Sequence, residues 1–192
     1  TVQMIRQSDS NASNMLVRAV DTQLDYDLPW REWGDFRFGL NATYIDTYEF
    51  QLSEIDPVRQ AAGNQNNDFG AVPAMPRWRA NARLGWTMEN HMVSTTVRYI
   101  HDVRFDANEF PFQQFFPFNN WRHTEVIRAW TQMDAFYTYQ DLQVFNGSLS
   151  LTAGVRNMFD REAQKTGMIA GAVTELQDIL GRVVYGRINF TF

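Results

Sequence analysis

The chain has 192 residues, enough for one domain with a sizeable core, and no cysteine, which excludes disulfide frameworks, thiolate metal sites and cysteine nucleophiles. Its 17 basic residues stand against 22 acidic ones, and the net charge of −5 argues against a nucleic-acid partner. Aromatic residues reach 15%, yet mean hydropathy is −0.41 and no apolar run approaches the ~20 residues of a membrane helix; only strands of alternating polarity would cross a bilayer with such an average.

Residues 1–11 lack the basic start, apolar stretch and small-residue cleavage site of a signal peptide. Either a leader has been removed or the chain starts inside a larger protein. Beyond them, alternation of apolar and polar side chains predicts strands, because successive residues on a strand point to opposite faces. In 16–28, Val20, Thr22, Leu24, Tyr26 and Leu28 oppose Asp21, Gln23, Asp25 and Asp27. In 35–46, Phe36, Phe38, Leu40, Ala42 and Tyr44 oppose Arg37, Gly39, Asn41 and Thr43. Residues 77–86 set Trp78, Ala80, Ala82, Leu84 and Trp86 against Arg79, Asn81, Arg83 and Gly85. Residues 91–100 set Val93, Thr95, Val97 and Tyr99 against Ser94, Thr96 and Arg98. In 131–140, Met133, Ala135, Tyr137 and Tyr139 oppose Gln132, Asp134, Phe136 and Thr138. In 148–157, Leu149, Leu151, Ala153 and Val155 oppose Ser150, Thr152, Gly154 and Arg156. The last segment, 182–192, sets Val184, Gly186, Ile188, Phe190 and Phe192 against Val183, Tyr185, Arg187, Asn189 and Thr191.

Each segment is about the 9–11 residues that cross a bilayer when tilted. Short connections at 29–34, 88–90 and 141–147 alternate with long ones at 52–75, 106–124 and 159–181, a sorting by side expected of an outer-membrane barrel and not of a soluble sandwich. Aromatics gather at strand ends (Tyr26, Trp30, Trp33, Trp86, Tyr139, Phe190, Phe192), as interfacial girdles require. The polar faces carry Arg37, Arg79, Arg83, Arg98, Arg156 and Arg187 beside Asp21, Asp25 and Asp134, too much charge for a dry core but suited to a wet or plugged lumen. The expected fold class is therefore all-β, a transmembrane antiparallel β-barrel. Seven strands, being odd and fewer than the eight of the smallest such barrels, are expected to form one section of a larger one.

At this point the sequence resembles a family. Gly154-Val155-Arg156-Asn157-Met158-Phe159-Asp160-Arg161 resembles the G-v-x-N-l-F-D-r motif near the C-terminus of TonB-dependent receptors, followed by Gly181-Arg182 and a terminal amphipathic strand ending in Phe192. Residues 76–83, Val97-Arg98-Tyr99 and Met133-Asp134 are similar to neighbouring strands of the same family, and the likeness covers about 14–192. It implies a barrel of about 22 strands, of which residues 1–192 supply strands 16–22 of the single barrel domain. An N-terminal plug, absent from this chain, would fill the lumen. Short turns would be periplasmic and long loops extracellular. The implied function is TonB-driven uptake of a scarce ligand (a siderophore, oligosaccharide, peptide or similar small or oligomeric molecule) across the outer membrane of a Gram-negative bacterium. The implied partners are the rest of the barrel and its plug, the TonB complex reached through the N-terminal part, and outer-membrane lipid and lipopolysaccharide. A passive porin-like channel is the alternative; a soluble lipocalin-type binding domain is a third reading, separable by its independence of detergent.

Within this frame the residues divide by role. Asn157 and Asp160 are expected to satisfy backbone groups where the strand leaves the membrane, with Phe159 anchored at the interface. Phe110, Phe112, Phe115, Phe116, Phe118 and Trp121, on an extracellular loop stiffened by Pro111 and Pro117, are candidate ligand contacts through ring stacking. The lumen- or plug-facing set is Arg79, Arg83, Arg98, Asp134, Arg156 and Arg187, and the arginines among Arg79, Arg83 and Arg98 are expected to pair with carboxylates. His91, His101 and His123 have no metal-ligand spacing, and neither a carboxylate pair nor a Ser-His-Asp order suggests an enzyme. No metal, cofactor or catalytic residue is expected.

Overall fold

The computed structural model describes residues 14–51, 57–65, 72–105, 126–165 and 172–192, and their regular structure is all β. In chain order the strands are β1 (Asn14–Trp30), β2 (Gly34–Gln51), β3 (Arg59–Gln60), β4 (Asn64–Gln65), β5 (Trp78–Met88), β6 (His91–Ile100), β7 (Val103–Phe105), β8 (Val126–Ile127), β9 (Trp130–Val144), β10 (Gly147–Arg156) and β11 (Val183–Thr191). The seven long strands follow the seven alternating segments. They pair antiparallel with their sequence neighbours in the order β1-β2-β5-β6-β9-β10-β11, with β3 appended to β2. The sheet is not closed: β1 and β11 are its edges among the described residues.

The connections sort by side as expected. Residues 31–33, 89–90 and 145–146 are the only links at one end, while 52–77, 101–129 and 157–182 are at the other. All three turns are tighter than the sequence suggests. The last holds two residues because β9 runs on to Val144, and Glu89 (φ 50°) and Phe145 (φ 54°) take the left-handed conformation at the first turn position. At the β1–β2 turn, Gly34 has φ 85° and lies so close to the Thr87 carbonyl that a Cβ there would collide with it.

Register decides what the two faces carry. Leu24 pairs with Leu40, Leu40 with Ala82, Ala82 with Val97 and Val97 with Met133. Further along, Tyr139 pairs with Leu151 and Leu151 with Ile188. The apolar sets of all seven strands therefore stand in phase on one face. Their polar counterparts fall in phase on the other: Gln23, Asn41, Asn81, Arg98 and Gln132 make one continuous cross-strand row. A bulge in β9 beside Asp141 (φ 56°) skips one residue and so keeps Leu142 opposite Leu149 on the apolar side.

Among the described residues, no protein covers the apolar face. Leu24 (57% exposed), Leu151 (39%) and Ile188 (72%) are open along its width. It is bounded by aromatics at both ends. Tyr44 pairs with Trp78 towards the loops, ring centroids 4.6 Å apart, and Phe36 pairs with Trp86 towards the turns, where Tyr26–Phe38 and Trp30–Phe36 ring contacts continue the row.

The buried core lies elsewhere, at the long-loop end. One cluster is Ala74, Val103, Ile127, Val173 and Leu176, packed against Ile100; the other is Phe50, Ala61 and Val72, packed against Tyr48 and Met75. A second bulge makes the Phe50 cluster possible. Ala19 pairs with Ile45 but Arg18 with Thr47, so Asp46 is an extra residue in β2. The slip turns Tyr48 and Phe50 onto the face that is polar lower down, together with their partners Val17 and Met15. Above the bulge the two faces of the β1–β2 pair have exchanged character, and Ala61 and Val72 pack against the newly apolar side, while Val103 and Ile127 of the small sheet β4-β7-β8 pack against Ile100 of β6.

Candidate functional site

Arg79, Arg83, Arg98, Asp134, Arg156 and Arg187 all lie on the polar face of the large sheet, as their register partners require. Their contacts differ. Arg98 Nη2 donates to Asp134 Oδ2 at 2.7 Å, the carboxylate pairing expected from sequence. Arg79 Nη2 instead donates to the Ala74 carbonyl at 3.2 Å, holding the incoming loop. Arg83 has no ion-pair partner among the described residues. Arg156 reaches Asp178 at 3.4 Å. Asp21, Asp25 and Asp27 form an acidic stripe on β1, of which Asp27 accepts from Arg37 at 2.8 Å and Asp21 from Thr43 at 2.6 Å.

Asp134 is the junction of this array. Besides Arg98 it accepts from Gln132 Nε2 at 3.0 Å and from the backbone N–H of Asn157 at 2.9 Å, tying the charged face to the start of the 157–182 connection. Asn157 is 1% exposed with φ 51°, a conformation its short polar side chain tolerates. Its Oδ1 accepts from the Arg161 N–H and its Nδ2 donates to the Arg161 carbonyl, both at 2.9 Å, so the side chain substitutes for a strand partner. Asp160 Oδ1 accepts from the Arg182 N–H at 2.8 Å, closing the connection onto the start of β11. Arg161 donates to the Ala129 carbonyl at 2.8 Å and stacks over Trp130 at 5.3 Å. The motif residues thus serve the backbone, as their chemistry suggested. Phe159 is exposed.

The aromatic set Phe110, Phe112, Phe115, Phe116, Phe118 and Trp121 lies outside the described residues, as does His123. His91 sits at the turn end, its Nδ1 2.7 Å from the Tyr137 hydroxyl, and His101 at the loop end, 2.8 Å from the Tyr99 hydroxyl. Among the described residues, no three His, Asp or Glu side chains gather as a metal site would need.

Sequence reasoning missed a cavity of about 350 Å³ at the loop end, lined by Gln60, Gly63, Asn64, Arg77, His101 and Arg104 among others. These residues come from three separated stretches, brought together by the parallel pairing of β4 with β7. No local pattern could announce them. What the fold defines is an all-β protein built on one open antiparallel sheet. Comparison with protein-family models, curated proteins and solved structures finds no match to this chain.

Proposed function

We propose that the large sheet is a section of a transmembrane β-barrel wall in a Gram-negative outer membrane, belonging to a ligand-uptake receptor of the TonB-dependent kind. The observation that carries this reading is the apolar face: seven strands wide, in phase, uncovered and bounded by aromatic rows at both ends. A soluble protein rarely exposes an apolar surface of that extent, whereas lipid requires it. The charged opposite face suits a lumen, and the sorted connections suit a wall with short periplasmic turns. The open edges support the same reading. β1 and β11 run in the same direction, so joining them directly would make a parallel seam. Left unpaired in lipid, their backbone groups would cost several kcal/mol each, so further strands from the rest of the barrel satisfy them. The resemblance of residues 154–161 and of the terminal strand to TonB-dependent receptors favours energised uptake over a passive porin.

The lack of cysteine supplies a direct test. Single cysteines at Val97, Leu151 and Ile188 should resist a charged maleimide in outer-membrane preparations, while cysteines at Thr96, Ser150 and Thr152 react. Equal labelling of both sets would remove the wall reading. Dissipating the proton-motive force should halt uptake by a TonB-coupled receptor and leave a porin unaffected.

A further inference from the structure

The loop-end cavity is rich in unused donors. Arg77 Nη1 donates to the carbonyl of Asp46, the bulged residue of β2, at 2.5 Å and to that of its neighbour Ile45 at 3.4 Å. Its stem lies across Gly63, where a Cβ would stand 3.2 Å from Nε; the backbone there has φ 83°. One end of the guanidinium is therefore fixed, and Nη2 has no acceptor among the described residues. Arg104 is held by its backbone, which donates to the Gly63 carbonyl at 2.8 Å and pairs with Asn64, while its guanidinium has no partner among the described residues. Gln60 spends its Oε1 on the N–H groups of Tyr48 (2.8 Å) and Ala62 (3.0 Å), which fixes the amide and leaves its Nε2 as a further donor. Against these stands one lining carboxylate, Asp102, and it already lies 3.3 Å from His101 Nδ1.

Two guanidiniums and an oriented amide around a cavity of about 350 Å³ match an oxyanion, since a guanidinium fork binds carboxylate or phosphate through paired hydrogen bonds. The volume is at the small end of ligand sites, about the room for one or two sugar rings. We propose that this cavity binds a small hydroxylated organic oxyanion, of sugar-acid or sugar-phosphate size, with Arg77 and Arg104 on the anionic group and Gln60 on a neighbouring oxygen. Its role as an entry site rests on the uptake reading; the binding itself does not.

The full-length protein in detergent micelles is titrated calorimetrically with D-glucuronate, D-glucose 6-phosphate and D-glucose. At least one anion should bind at least tenfold more tightly than glucose and weaken as sodium chloride is raised, and the two anions separate a carboxylate site from a phosphate site. Arg104→Ala removes an exposed side chain without partners among the described residues, so folding is spared, and should lower the anion's affinity at least tenfold. Arg104→Lys should retain part of it, and Arg31→Ala, in the β1–β2 turn at the opposite end of the sheet, should change nothing. Absence of binding by both anions, equal binding of glucose, or undiminished affinity in Arg104→Ala would overturn the proposal. Such a failure alongside the expected cysteine-labelling pattern removes the ligand class and leaves the wall; anion binding with uniform labelling does the reverse.

Discussion

Below the level of Tyr44 and Trp78 the long strands form a single layer, with Leu24, Leu151 and Ile188 open on one side and charged rows on the other. Above it, Ile127, Val103 and Leu176 are buried as in any soluble core, and the former polar face carries Phe50 and Tyr48 inward. Of the long strands, β1 and β2 run on from the lower region into the upper. The upper region obtains its hydrophobic stabilisation from loops folding onto the sheet; among the described residues the lower has no protein partner for its apolar side, and on the wall reading that stabilisation comes from lipid. The bulge at Asp46 is where one regime gives way to the other.

Substitutions that act in one region alone sharpen this contrast. The largest effect is expected in the loop-end core. Ile127→Ala, at 1% exposure, should destabilise that region by about 2–5 kcal/mol and expose residues 157–182 to limited proteolysis, with the strand content of the sheet retained. Loss of the whole sheet would show that the two regions fold as one unit. Next comes the face test in the lower region. Leu151→Arg should cost about 2–4 kcal/mol in denaturant titrations of lipid-reconstituted protein, and Thr152→Arg far less, because only the first would face hydrocarbon. Equal costs would break the distinction between faces.

Smaller again is the clasp between the regions. Asn157→Ala leaves the Arg161 N–H and carbonyl without their buried partners and should cost about 1–3 kcal/mol, read as earlier melting of the 157–182 connection. The smallest change is expected for Asp27→Asn. Its partner Arg37 is 79% exposed, and an ion pair so open to solvent contributes little to folding. A measurable drop in unfolding midpoint there would mean that the polar face is drier than its exposure indicates.

How much of this the sequence discloses depends on how local the determinant is. Alternation is a property of neighbouring residues, so all seven long strands and the faces of Arg79, Arg83, Arg98, Asp134, Arg156 and Arg187 could be read from it. Asn157 and Asp160 were legible because their roles are played within five residues or at a fixed strand start. The exchange of faces was not. It depends on one extra residue, Asp46, and nothing in Thr43-Tyr44-Ile45-Asp46-Thr47 distinguishes a bulge from a continuing strand. β3, β4, β7 and β8 span two or three residues each, too few to show a period. Arg83 shows the limit on electrostatics: composition suggests a carboxylate partner, but its register opposite Gly39 and Thr96 supplies none. The cavity around Arg77 and Arg104 depends on contacts between stretches far apart in sequence, the kind of information that periodicity lacks.

The aromatic rows have a consequence for where such a wall can reside. From Trp78 to Trp86 is about 27 Å along β5 at ~3.4 Å per residue. At the tilt of about 40° usual for barrel strands, that is roughly 20 Å measured along the bilayer normal. The aliphatic band between the rows is therefore short. Hydrocarbon of ordinary thickness would have to thin around it, at fractions of a kcal/mol per Å of mismatch. On the wall reading, thickness acts as an address: bilayers of short acyl chains should accept the folded protein more readily than those of long chains, and the thin bacterial outer membrane is the natural compartment that fits.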